Sequence, residues 1–241
     1  MSEFHNHSNG GGLVADTARV SDTAYIGPSA RVFDNAVVCD NAKVYGNAVV
    51  FDYAKVFDYA KVYGNAKVYG NAEVFGNALV CGNAVVYGNA VVYDNAQVCD
   101  HVRVSGHARV YGNAVVYSNA ALSDNALVFG NAQVCDHARV YGNAIVCDNA
   151  RVFDNARVSG NAVVSGDVRV SKPFPQIKRS DRYDFILVPD KNGVDRIIAG
   201  CRYFTVPEAI GHWTKTRYGT KLGDETLEII SMLQKLKSIM D

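Results

Sequence analysis

The chain has 241 residues, 24 basic and 24 acidic side chains, and a hydrophobic share of 49%. Residues 13–171 carry 12 bases against 14 acids and residues 172–241 carry 12 against 9, so neither part has the basic excess that makes nucleic acid a default partner. No apolar run approaches the roughly eighteen residues that span a bilayer, and the N-terminus lacks an apolar secretory segment; a membrane is not expected, and the cytoplasm is.

Residues 1–12 are polar and Gly-rich and read as a flexible leader. From Val14 to Val170 an aliphatic residue then recurs every six positions without a slip, in 27 hexads of which 25 open with Val. Such a period outranks every other local signal. Four places after each opener stands Ala, at 24 of 26 sites, and between them a turn whose first residue is Gly or Asp at 24 of 26 and whose second is Asn at 17 of 26. The unit is V-x-[GD]-N-A-x, as in Val62-Tyr63-Gly64-Asn65-Ala66-Lys67. Ala and the following Val are two apart, so both point inward from one short extended segment while the residue between them points out. The turn residues suit a left-handed backbone, a role expected here of Asn, with Gly or Asp shaping the approach to it. Three hexads per coil give a triangular prism of nine 18-residue coils, about 43 Å long at the strand spacing.

This motif resembles the hexapeptide pattern of left-handed β-helices, and its near-uniform N-A-x-V register is most similar to the YdcK-type β-solenoid repeat proteins of bacteria and phages, often labelled acyltransferases. The resemblance covers residues 14–171. It implies a left-handed parallel β-helix, self-association (commonly as a trimer) and, for the acyltransferases of this architecture, a His at the subunit boundary acting as general base on acyl-CoA.

No catalytic residue is assigned. The candidates that an acyltransferase would use are His101, His107 and His137, all at the turn position usually held by Asn, where a histidine that tolerates a left-handed turn is also ordinary repeat substitution. His101 and His137 share a corner two coils apart and His107 lies on another, so one chain cannot close a metal site on them, and no metal is expected. Acyltransferases of this type interrupt their coils with a loop that walls the acceptor pocket; here the register never breaks, which weighs against catalysis.

The residue after each opening Val is aromatic at 14 of 27 sites, and an 18-residue period stacks these into columns such as Phe33, Phe51, Tyr69, Tyr87 and Phe57, Phe75, Tyr93, Tyr111, Phe129. Stacked rings stabilise coil-to-coil contact; Tyr69, Tyr87, Tyr93 and Tyr111 are also candidates for binding a sugar, a base or a partner. One outward column is largely aliphatic in its second half, and Val91, Leu127, Ile145 and Val163 are its candidate interface residues. Five of the six cysteines follow an opening Val: Cys39, Cys81, Cys99, Cys135 and Cys147. Cys81 and Cys99 lie one coil apart and could bridge, whereas a reducing cytoplasm favours free thiols.

Periodicity ends at Ser171, and Lys172-Pro173-Phe174-Pro175 marks a boundary. Residues 172–241 read as a small α+β unit: a hairpin of Asp184–Val188 and Arg196–Phe204, a short helix opened by the capping box Thr205-Val206-Pro207-Glu208, and a helix from Asp224 to about Met240 with Leu227, Ile230, Leu233, Leu236 and Ile239 on one stripe. Cys201 and His212 could pair as nucleophile and base, though Cys201 inside an apolar strand reads as core. The unit is expected to cap the exposed end of the solenoid and to offer a surface to a protein partner. Together these features point to a non-catalytic, oligomeric scaffold or interaction protein of phage or prophage type that needs no cofactor. Its alternatives are a hexapeptide-repeat acyltransferase using acyl-CoA at a subunit interface, and a module that sequesters a small molecule or sugar.

Overall fold

A computed structural model describes residues 3–171, 174–200 and 202–240. Its N-terminal strand β1 (Phe4–Asn6) pairs antiparallel with β2 (Leu13–Ala15), and 26 two-residue strands follow, β3 to β28, from Arg19–Val20 to Arg169–Val170. Each strand pairs in parallel with the one 18 residues on, as Lys61 with Leu79 and Val62 with Val80. The result is three flat sheets around a prism. Face 1 runs from Leu13 to Arg157, face 2 from Arg19 to Val163 and face 3 from Tyr25 to Arg169, each named by its outward residues. A nine-turn parallel solenoid is therefore what the hexads build.

The alternation of side chains does the sorting. Inward Val and Ala are buried along the rod, except Ala18 and Val20 in the first coil, which are half-buried, and the interior is close-packed. Backbone ladders close every coil against the next: Lys61 N–H donates to Ala78 O at 2.9 Å, Tyr63 N–H to Val80 O at 2.9 Å and Asn65 N–H to Gly82 O at 2.7 Å.

The corners differ from the sequence expectation. The left-handed residue is the Gly or Asp, not the Asn: Asp34, Asp52, Asp94 and Asp148 have φ between 57° and 59°, Gly64 has 73°, and no Asn or His is among the positive-φ residues. Asp holds this backbone because its carboxylate accepts the N–H of the left-handed residue one coil on, Asp52 from Gly70 at 3.0 Å and Asp148 from Gly166 at 3.1 Å. Freed from that duty, Asn forms side-chain amide ladders up the corners, such as Asn47 to Asn65 to Asn83 at 3.1 Å per step and Asn95 to Asn113 to Asn131 to Asn149 at 3.1–3.3 Å.

Both ends are covered. The stretch expected to be a flexible leader is folded over the first coil: His7 is buried, and its Nε2 and the Asn9 amide both reach Ala24 O, at 3.1 and 3.0 Å. At the other end the expected hairpin is a four-stranded antiparallel sheet of β29 (Gln176–Lys178), β30 (Asp184–Pro189), β31 (Asp195–Ala199) and β32 (Arg202–Thr205). The run taken as one strand from Arg196 to Phe204 turns at Gly200, whose φ is 58°. Strand alternation gives this sheet two faces. Ile186, Val188 and Ile198 join the solenoid core, while Phe185, Leu187, Ile197 and Ala199 pack on helices α1 (Val206–Arg217) and α2 (Lys221–Met240). Thr205 and Glu208 form the capping box. The buried stripe of α2 is Thr226, Ile229, Ile230 and Leu233; Leu236 and Ile239, expected on it, are exposed, and the last turn meets the sheet through Lys237, which bonds Asp195. Lys172 and Pro173, the expected boundary, lie outside the described residues.

Candidate functional site

Charge is segregated around the prism. All 12 bases of residues 13–171 stand at the outward position before an opening Val, whereas 13 of the 14 acids are corner Asp and only Glu73 lies on a face. Ten of these Asp hold the left-handed corner backbone, so most of the pattern follows from the turn chemistry. Its consequence is cationic faces bordered by anionic edges. On face 2 Glu73 meets Lys55 at 2.9 Å; faces 1 and 3 carry no outward acid.

The aromatic residues form the expected columns. Beside face 1, Phe33, Phe51, Tyr69 and Tyr87 stack at 4.7–5.2 Å between centroids. Beside face 2, Phe57, Phe75, Tyr93, Tyr111 and Phe129 stack at 4.7–5.1 Å. Interplanar angles are 5–21° in these two columns, so ring faces cover one another and edges and hydroxyls meet solvent. Burial pushes the phenols of Tyr69, Tyr93 and Tyr111 up, the neighbouring phenol adding to the effect for the first two. A flat ligand can therefore stack only where a column ends.

His101, His107 and His137 are exposed on corners. Their backbone N–H groups continue the corner ladder, to Ser118 O, Asp124 O and Asp154 O at 2.6–2.8 Å, and they interrupt the Asn ladders rather than meet one another. His101 and His137 lie on the corner between faces 3 and 1, and His107 on the corner between faces 1 and 2. Among the described residues no three His, Cys, Asp or Glu side chains converge as metal ligands. The aliphatic candidates are brought together in part: Leu127, Ile145 and Val163 are successive partners on face 2, while Arg109 separates Val91 from Leu127.

A concavity of 760 Å³ was not foreseen from the sequence. It lies in the C-terminal unit among the β29–β30 loop, β32, the end of α1 and the start of α2, lined by Arg202, His212, Trp213, Arg217 and Lys221. Arg179 forms part of its wall, buried, with Thr226 Oγ1 at 2.7 Å and Asp181 Oδ2 at 2.7 Å. The Arg179 guanidinium holds the Asp181 carboxyl below the usual carboxylate range. His212 sits against Phe204 and Trp213, at 4.9 and 5.3 Å between ring centroids; Cys201, its suggested partner, lies outside the described residues.

The model of the YdcK β-solenoid repeat matches residues 78–94, 102–118, 132–148, 150–166 and 156–172. Within residues 78–172 the matched hexads are similar to YdcK-type repeats. Among solved structures, the UDP-N-acetylglucosamine acyltransferase of Francisella novicida is 16% identical, with 94% of this chain and 85% of that one covered at a TM-score of 0.38, too loose a likeness to say anything of activity. No curated protein matches the chain.

Along the rod the column beside face 3 is broken by sulfur. Tyr45 stacks on Tyr63 at 4.9 Å, and the next two rungs hold Cys81 and Cys99. They were expected as free thiols; in the structure they are disulfide-bonded, because one coil places their Cα atoms 4.5 Å apart, within bridging range. Cys39, Cys135 and Cys147 are free, and burial, with the Asp148 carboxylate beside it, pushes the Cys147 thiol up to about 12.

Proposed function

We propose that this protein is a non-catalytic scaffold: a stiff rod, capped at both ends, that self-associates along the Leu127–Ile145–Val163 strip of face 2 and carries a cationic cleft at one end for an anionic group on a protein partner. The observation that carries the reading is the uninterrupted register from Leu13 to Val170. Catalysis needs a concave, water-excluding site, and a rod with no inserted loop offers only open hollows along its faces, of 230–440 Å³. Covered ends suit a defined particle, since bare terminal coils would add to one another through unpaired strand edges. A trimer is the expected order. The acyltransferase alternative needs a histidine at the subunit boundary, and of the three only His107 stands on an edge of face 2.

Native mass spectrometry of the full chain tests this. The wild type is expected as an oligomer and Ile145→Asp as a monomer with an unchanged far-ultraviolet spectrum, because a half-buried outward position tolerates a charge in the monomer but not in an apolar interface. A monomeric wild type at micromolar concentration, or an unaltered oligomer in the variant, would sink the proposal.

A further inference from the structure

The three aromatic columns differ in how their gaps are filled. Beside face 3, a two-rung break between Tyr63 and Tyr117 is occupied by the Cys81–Cys99 bridge. Beside face 1 there is a break of the same height between Tyr87 and Tyr141, and its two rungs hold only Ser105 and Ser123. The backbone runs through without change: Tyr87 N–H donates to Val104 O, Ser105 N–H to Leu122 O and Ser123 N–H to Val140 O, at 2.9–3.1 Å. Ser105 and Ser123 thus occupy ring positions without supplying rings. Tyr69 covers one face of Tyr87 at 5.1 Å and 9°; the other face looks into the gap. From Tyr87 to Tyr141 is three coils, about 14 Å at the strand spacing, which leaves room for two ring planes.

The rim of this gap is cationic. On face 1 Arg103 flanks the Ser105 rung and Ala121 the Ser123 rung, Arg139 and Arg157 follow on the next two strands, and a hollow of 230 Å³ is lined by Ala121, Ser123, Arg139, Tyr141 and Arg157. No guanidinium of the three lies over a ring, unlike Arg151, which covers Phe153 at 5.9 Å. Of the corner carboxylates that border face 1 here, Asp124 accepts Gly142 N–H at 2.9 Å, Asp100 accepts Ser118 N–H at 3.0 Å and Asp136 accepts Asp154 N–H at 3.2 Å, and exposed His107 sits on the same corner as Asp124.

We propose that the gap between Tyr87 and Tyr141 is a binding slot for a nucleoside phosphate. Its base continues the ring column in the vacant rungs, and its phosphate meets Arg139 with Arg103 or Arg157. A ring plane is required to replace a ring plane at the column's own spacing, and planar guanidiniums that form no ion pair with the corner carboxylates favour a phosphate, which carries about −1.5 to −2 charge at neutral pH. A neutral sugar would leave the three arginines unanswered. The slot is on face 1 and does not depend on self-association through face 2.

The probe is 1,N6-etheno-AMP, titrated by fluorescence anisotropy against the full chain. Saturable binding is expected, with AMP competing at least about ten-fold better than adenosine or inorganic phosphate alone. Ser105→Tyr with Ser123→Tyr completes the column, so it should lose at least about ten-fold in affinity while the melting temperature holds or rises. Arg139→Gln should weaken binding and its salt dependence together. Should the double variant fail to fold, Arg139→Gln with Arg157→Gln makes the distinction instead, and an affinity equal to that of the wild type overturns the proposal. Absence of saturable binding up to about 1 mM, or equal affinity in the wild type and the filled-gap variant, overturns the proposal.

Discussion

Replacing Gly64 by Asp should disturb the rod less than replacing it by Ala, the reverse of the order expected from side-chain size. Gly64 has φ 73°, and a Cβ there would lie 2.9 Å from Gly82 O and 3.0 Å from Gly82 N. For Ala, the left-handed backbone alone costs about 1–2 kcal/mol, and the close approach adds to it. Asp meets the same backbone, but the structure already shows its remedy: Asp52, at φ 59°, accepts Gly70 N–H at 3.0 Å. A hydrogen bond to a charged acceptor contributes about 1.5–3 kcal/mol in favourable settings and less on an exposed corner, enough to offset most of the backbone term. At about 2–4 °C per kcal/mol for a chain of this length, Gly64→Ala should lower Tm by about 2–8 °C and Gly64→Asp by about 2 °C or less. Thermal melts at neutral pH measure both. The compensation needs an ionised carboxylate, so it is present at neutral pH and is lost as pH falls through the carboxylate range near 3.9; at low pH the two variants should converge. An Asp variant as unstable as the Ala variant at pH 7 would refute the corner mechanism.

Two further outcomes follow from the interior and from the sulfur bridge. Ala90, fully buried at mid-rod, changed to Leu should overpack the prism and destabilise it by about 1–3 kcal/mol; a melting curve identical to wild type would mean the residue has somewhere to go. Reductant should lower the Tm of the wild type but not of Cys81→Ser with Cys99→Ser, since a bridge across 18 residues contributes about 3 kcal/mol in the chain-entropy picture, and a wild type indifferent to reductant would mean the bridge adds nothing to the packed coil.

The solenoid was legible because every hexad repeats one instruction: Val and Ala inward, one turn, and a register shared by all coils. An error at any single position is outvoted by its neighbours. The division of labour in the turn was not legible, because Gly, Asp and Asn all tolerate a left-handed backbone, and only the coil stacked above shows that the Asp52 carboxylate has an N–H to receive while Asn65 has another amide. The folding of residues 3–12 was hidden for a similar reason. Its signal is His7 and Asn9 reaching Ala24 O, a contact between a Gly-rich segment and a coil that composition alone does not announce. The C-terminal cleft was missed because Arg179, Arg202, Arg217 and Lys221 are scattered over more than forty residues and meet only when β32 and the α1–α2 turn are placed side by side.

Where a repeat specifies the fold at every position, the residues that obey it report on stability, and specialisation has to be sought in the departures from it. By that criterion the rows of Tyr on the rod are poor sites in their middles and better ones at their ends. Tyr93 has a ring on both sides, at 5.1 and 4.8 Å, and nothing flat can reach its faces. Tyr87 has a ring on one side only. The same reasoning separates two breaks of equal height: cysteines that bridge restore the contact the missing rings would have made, whereas Ser105 and Ser123 restore none of it. A rod under selection for stability alone has aromatic residues available for both rungs, as the unbroken column from Phe57 to Phe129 shows, so an open pair of rungs on an arginine-bearing face is the departure that calls for a ligand.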